Sequence, residues 1–371
     1  MQPSPRAVQA VRDAVRAALV VEAGGESTWR LDPSVSSEDF QAAVLRHRVV
    51  EVLADNAEGL HLTAPLTEWL RTRRQPSSLR AMSLVRELGR IQQVLDGADI
   101  RWLAFKGPAL AVQTTGDFTA RGIGDLDVLV DPSDVAAAVH ALEAHGWQLD
   151  ARFSRPGPSW GWRRLLHSYY ECPLVGPDSR IDLHWRLAPG AGVLPEFGHV
   201  AARAVQVPIG PFSTPTLAPA DALAHSCSHA AKDDYRWLRS LVDIHRFVRA
   251  GEPLPDTVPG RRAAAVLAAT IGLPGGTAPP APRVVRRAMG AQERPFLPHA
   301  ARLPGAGLVD AVRRSSVGSS WRGRRIVLLN VLLPAPGPEV DDVRAVTAIP
   351  RAILHRGRKA VRRLQDWRRR A

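Results

Sequence analysis

The segment GDLDVLV, Gly124 to Val130, constrains this chain more than any other. It reads as a buried strand, yet it carries two acids one residue apart. Side chains alternate faces along a strand, so Asp125 and Asp127 point one way and Leu126 and Val128 the other. Two carboxylates half-buried side by side repel, at a cost on the order of several kcal/mol unless a cation joins them. Magnesium suits that place, because it takes oxygen ligands and commonly binds one or two carboxylates together with substrate phosphates. Alone, an Asp-x-Asp pair is more often a solvated strand end than a metal site.

Two further features favour the metal. RIDLHWRL places Ile181, Leu183 and Trp185 on one face of a second strand, with Asp182, His184 and Arg186 on the other. Three acids on neighbouring strands suit a two-metal cluster. FKGP then ends a strand just before the loop that leads to Asp125. Gly107 at such a strand-to-helix turn lets backbone N–H groups approach a phosphate. Lys106 is a compact charge for phosphate oxygens, and Arg121 lies four residues before Asp125 on the same loop.

The surrounding pattern supplies a small mixed sheet. IRWLAF and DLDVLV read as strands, PALAVQTT as a short helix with proline in its first turn, and DPSDVAAAVHALEAHG as a helix stopped by Gly146. WQLD begins a further strand. SRPGPSWGWRR reads as a loop, with Trp160 and Trp162 either packing or closing over a ligand. HSYYECPLV and RIDLHWRL read as two strands joined by the turn GPDS.

This order resembles the polymerase-beta-like nucleotidyltransferases. More narrowly, LAFKGPALAVQTTGDFTARGIGDLDVLVDPSDVAAAVHALEAHGW is similar to a bacterial family of uncharacterised nucleotidyltransferases, with its Lys-Gly turn, Arg-x-x-x-Asp-x-Asp strand and later acid beside His-Trp. The resemblance runs from about residue 40 to about 250, including the helix around His225. It implies that Asp125, Asp127 and Asp182 hold magnesium, with Asp182 also helping to deprotonate an incoming hydroxyl. It implies that Lys106, the Gly107 backbone and Arg121 hold a triphosphate. The implied reaction moves a nucleoside monophosphate from a nucleoside triphosphate to an acceptor (a small molecule, an RNA end or a protein side chain) and releases pyrophosphate. Lys-Gly-Pro stands where the wider superfamily has Gly-Ser. That difference motivates the alternative of a non-catalytic nucleotide-binding or RNA-binding protein that keeps the fold.

Outside the core the helical period dominates. We expect an α+β protein: a helical region over residues 1–99, a nucleotidyltransferase core over 100–215, and a helical region with a basic tail over 216–371. Ser36 and Ser37 can cap one early helix, and Ser77 and Ser78 another. His47 reads as a packing or surface histidine. His225 and His229 share a helix face without a recognisable third ligand, which favours a contact to substrate or to the cleft wall over a metal site. His184 shares the face of Asp182, with His167 a weaker candidate there, and Asp243 reads as a capping or ion-pair residue.

The net charge is +13, and all but three of the 49 basic residues are arginine. A coding bias toward GC-rich codons is one account of this; the other is attraction to polyanions such as nucleic acid, nucleotides or an anionic membrane face. Two distant cysteines exclude a disulfide framework or zinc spacing. The N-terminus lacks a secretory apolar run, and IVLLNVLLP from Ile326 is too short to span a bilayer. The expectation is a bacterial cytoplasmic protein without a membrane span.

Overall fold

A computed structural model describes residues 2–189, 192–276, 278, 280–294, 321, 323–325 and 337. The run from Ile326 and the basic tail lie outside the described residues. Four helices come first: α1 (Pro5–Glu22), α2 (Ser37–His47), α3 (Val50–Asp55) and α4 (Ala64–Gly97). Then follow β1 (Trp102–Phe105), α5 (Gly107–Thr115), β2 (Leu126–Val130), α6 (Val135–Ala144), β3 (Gln148–Leu149), α7 (Trp160–Ser168), β4 (Glu171–Val175) and β5 (Arg180–His184). The chain continues through α8 (Phe197–Ala201), β6 (Val205–Ile209), β7 (Phe212–Thr216), α9 (Pro219–Lys232), α10 (Leu238–Arg249), α11 (Val258–Ala269) and α12 (Pro282–Glu293). The fold is mixed α/β, with one seven-stranded sheet in the order β3-β4-β5-β2-β1-β7-β6. β1 runs parallel to β7, while β3/β4, β4/β5 and β6/β7 are antiparallel.

The described residues form two compact units. The first gathers parts of 1–90, 103–126 and 200–294; the second gathers 91–102 and 127–199. In the first, α1 and α2 bury Val8, Val11, Val15, Phe40 and Val44. Ser36 caps α2 by accepting from the Asp39 N–H, as its spacing suggests. Arg12, 1% exposed, donates to Gln292 Oε1 at 2.7 Å and pairs with Glu293 on α12 at 3.0 Å. α10 buries Leu238, Leu241, Ile244 and Phe247 along one stripe, the arrangement its helical period requires.

In the second unit, α6 buries Val135, Ala138, Val139 and Leu142. Trp147 is fully buried and donates to Ser179 Oγ at 3.3 Å; a Cβ on Gly176 would meet its indole at 2.5 Å, so glycine is required there. GPDS turns the β4/β5 hairpin and sets its register: Val175 faces Arg180, Pro173 faces Asp182 and Glu171 faces His184.

Four local expectations change. Trp160 and Trp162 stand in α7, not in a loop, because Ser159 caps that helix by accepting from the Trp162 N–H. The strand read from His167 starts only at Glu171, since His167 and Ser168 finish α7. Ser77 and Ser78 cap nothing: α4 runs through them despite Pro76, and they donate to Glu51 and to the Arg74 carbonyl. The β6/β7 hairpin was not visible in the sequence, because Pro208 and Pro215 disguise it; β6 is an edge strand, where proline is tolerated.

Candidate functional site

The first unit builds a turn and a loop. β1 ends at Phe105, and Lys106 caps α5 with φ 56 and ψ −151, a conformation side chains rarely adopt. Such strain, about 1–3 kcal/mol, persists where surrounding structure enforces it and clusters at functional sites. Gly107 follows at φ +41, and a Cβ there would lie 3.5 Å from the Asp125 carbonyl. The turn and the loop before Asp125 therefore run in close contact. No acid stands in the first turn of α5 and no side chain caps it, so its N-terminal N–H groups offer an anion site. The Lys106 ammonium lies 5.1 Å from the Phe105 ring centre, and the His225 ring meets Phe105 edge-on at 5.1 Å. His229 lies 5.9 Å from His225 along the same face of α9.

Arginines hold the path of the glycine-rich loop. Arg246 donates to the Ala120 carbonyl, Arg239 to that of Gly122 at 2.6 Å, and Arg80 to that of Gly124. Arg74 reaches Thr119 Oγ1 at 3.1 Å. Arg121 itself is held by Asp243, its Nε donating to both carboxylate oxygens at 3.0 and 3.1 Å; both side chains are nearly buried. Asp243, 122 residues away, is thus an ion-pair residue that fixes Arg121. Asp125 lies one residue before β2 and is exposed.

The second unit carries the other acids. Asp127 is only 6% exposed, on β2, and its Oδ1 lies 3.0 Å from His184 Nε2. The same nitrogen lies 3.2 Å from Glu171 Oε2 on β4. Asp182, two residues from His184 on β5, accepts from Arg180 Nε at 3.0 Å. Burial raises the Asp182 carboxyl above its ordinary range, the Glu171 and Asp127 charges raise it further, and Arg180 opposes them. The structure thus brings Asp127, Asp182 and His184 onto neighbouring strands and adds Glu171. The register explains the addition: a turn at GPDS places Glu171 opposite His184, on the face of Asp182. His167 closes α7 and is exposed.

Among the described residues no three His, Cys, Asp or Glu side chains are arranged to hold a metal ion. The donor chemistry of Asp127, Asp182 and Glu171 is nevertheless that of a hard cation: carboxylate oxygens, crowded enough to raise one of their own number. Magnesium fits that donor set; zinc, which prefers nitrogen and sulfur, fits it less well.

The family model for an uncharacterised nucleotidyltransferase matches residues 33–261. The match covers more than half of the chain, and the chain belongs to that family. A comparison with curated proteins finds no match.

Proposed function

We propose that this member of the uncharacterised nucleotidyltransferase family is a magnesium-dependent enzyme that transfers a nucleoside monophosphate from a nucleoside triphosphate to a hydroxyl acceptor. The observation that carries the reading is the crowd of carboxylates on β2, β4 and β5, with Asp182 raised by burial and by its neighbours. Structural acids seldom accumulate on one strand face without a cationic ligand to join them.

In this reading Asp125, Asp127 and Asp182 hold magnesium, and His184, bonded to Asp127 Oδ1, fixes that carboxylate's orientation. When bound, the metal neutralises phosphate charge and polarises the reacting phosphoryl group. Lys106 and the Gly107 backbone N–H hold the triphosphate, and Arg121, its Nε engaged by Asp243, lends the remaining face of its guanidinium to the same phosphates. The acceptor oxygen forms a bond to the α-phosphorus as the bond from that phosphorus to the bridging oxygen breaks. Pyrophosphate leaves with that oxygen, and the acceptor's proton passes to Asp182. No protein nucleophile is needed; the rate comes from positioning and charge.

Calorimetric titration with ATP, GTP, CTP and UTP, with and without magnesium, tests this in the wild type and in the combined Asp125→Asn, Asp127→Asn variant. One nucleotide should bind more tightly with magnesium, and only in the wild type. Pyrophosphate release on adding an acceptor completes the case. Magnesium-stimulated binding undiminished in the variant, or no binding of any nucleotide, defeats the reading.

A further inference from the structure

The end of α2 and the start of α10 carry an arginine cluster that the transfer reading does not use. Arg46 is in the last turn of α2, and Arg48 follows as its C-cap at φ 56, ψ 47, a left-handed conformation in which glycine is usual. The Arg48 guanidinium stacks 4.9 Å from the ring centre of Trp237, the N-cap residue of α10. Arg236 and Arg239 flank that tryptophan in sequence. Trp237 offers no side-chain cap, and the first turn of α10 holds no acid, so the positive end of this twelve-residue helix is uncapped, with Arg48 stacked on its N-cap residue.

Two observations point to a ligand. First, Arg46 Nε and Nη2 and Arg239 Nε are buried and have no hydrogen-bond partner among the described residues. A buried guanidinium N–H without an acceptor is costly, and a helix C-terminus accounts for basic residues near it but not for donors left unpaired. Second, the local balance is strongly positive. Burial and then the Arg236 charge lower the Arg46 guanidinium; burial and then Arg121 lower that of Arg239, where Arg48 adds to the repulsion. Among the described residues, Asp243 and Glu51 oppose this around Arg239. Asp243 is already engaged by Arg121, and Glu51 accepts from Ser77 Oγ. His47, fully buried beside Arg46, is pushed down to about 3 by burial and then by Arg46 and Arg12.

We propose that Arg46, Arg48, Arg236 and Arg239, with the N-terminus of α10, form a binding site for a compact, multiply charged phosphate chain. Planar guanidinium forks match phosphate oxygens two at a time, and arginines close enough to repel one another, Arg46 with Arg236 and Arg239 with Arg48, favour a polyvalent anion over a single carboxylate. Every group named lies in the first unit, so the site stands whether or not the carboxylates of β2 and β5 hold a metal. Arg239 also donates to the Gly122 carbonyl, so an anion drawn to its Nε would tighten the glycine-rich loop.

Calorimetric titration of the whole chain with inorganic tripolyphosphate in EDTA tests the site, at low and at raised salt. The wild type should bind, more weakly as salt rises. Arg46→Met and Arg239→Met should each weaken binding tenfold or more, while Arg71→Met, an exposed arginine on α4, should leave it unchanged. Without anion, Arg46→Met should melt at or above the wild-type temperature, because it removes buried donors that lack an acceptor, which also shows that it folds; Arg239→Met also loses its bond to the Gly122 carbonyl, so its folding is checked by circular dichroism instead. Arg46→Lys should give an intermediate loss, keeping the charge but not the fork. The combined Asp125→Asn, Asp127→Asn variant should bind tripolyphosphate as the wild type does, which separates this site from the transfer reading. An ATP arm in EDTA identifies the source: competition with tripolyphosphate assigns the site to a nucleotide's phosphate chain, and binding of tripolyphosphate alone assigns it to a free phosphate chain. Failure of tripolyphosphate to bind the wild type, or affinities within twofold in Arg46→Met and Arg239→Met, overturns the proposal. So does a 5′-phosphorylated tetranucleotide that binds through these arginines when tripolyphosphate does not, since that is an extended nucleic-acid footprint.

Discussion

The glycine-rich loop of the first unit and the paired strands of the second carry opposite charges and treat them differently. Along the loop, arginines from α4 and α10 reach carbonyls from Ala120 to Gly124, and Arg121 is closed by Asp243. There the charges serve to fix a backbone path. On β2, β4 and β5, Asp127, Glu171 and Asp182 face one another, with His184 and Arg180 as their cationic or polar company. The same chemistry of ion pairing gives a rigid loop in one place and, in the other, three acids that share one arginine and one histidine. A region whose charges are matched is finished by folding; one where carboxylates stay crowded is where the proposed reading puts a cation.

Removing the negative potential is the strongest way to break this comparison. The Asp125→Asn, Asp127→Asn variant should lose transfer by about 10³-fold or more while keeping its circular dichroism spectrum. A pyrophosphate-release assay reads the loss, and retention of a tenth of wild-type activity would place catalysis elsewhere. The loop side is probed by Asp243→Ala, which leaves the Arg121 guanidinium buried without its carboxylate. Urea unfolding should show a loss of about 3–5 kcal/mol. A loss below 1 kcal/mol would mean that the pair does not hold the loop.

Acid should weaken the first unit. Burial, then Arg249, pushes His245 down to about 4, and His47 falls to about 3. Both titrate near 6.5 when unfolded, so between about 6.5 and these lower values the unfolded chain binds protons that the folded chain refuses. Stability therefore falls as pH falls through that window, by up to about 3 kcal/mol for His245 and about 5 kcal/mol for His47. Burial raises the Glu22 carboxyl, but Arg246 and Arg249 outweigh it and leave Glu22 below its ordinary range. Its contribution is also lost on acidification. Melting temperatures from pH 7 to pH 4 should drop steadily in the wild type and less in His245→Gln; parallel curves would remove His245 from the account. The smallest effect belongs to a site outside both regions. Ser36→Ala should lose about 1 kcal/mol from the α2 cap and leave nucleotide affinity alone. A change in affinity there would show that α2 is coupled to the binding surfaces.

Much of the core was legible because its signals are local. The apolar run of β2, the alanine-rich body of α6 and the proline at the start of α5 each dictate their own element. Asp127 and Asp182 were legible as acids on strand faces. Glu171 could have been read as well, since the GPDS turn counts back to it opposite His184. The helix α7 was hidden by the glycine and prolines around it, and its one clear signal, Ser159 before Trp160, is short.

The sequence by itself determined the order of elements, the strand faces of the acids, the Lys-Gly turn and the excess of arginine, because period, capping and turn chemistry act over a few residues. Tertiary structure alone decided how those charges are used. Asp243 closes Arg121 across 122 positions, Arg239 meets the Gly122 carbonyl, and Trp237 receives Arg48. Asp125 is exposed while Asp127, two residues on, is buried against His184. Coulomb energy and desolvation depend on distance in space and on burial, and neither is written in the spacing of residues along the chain.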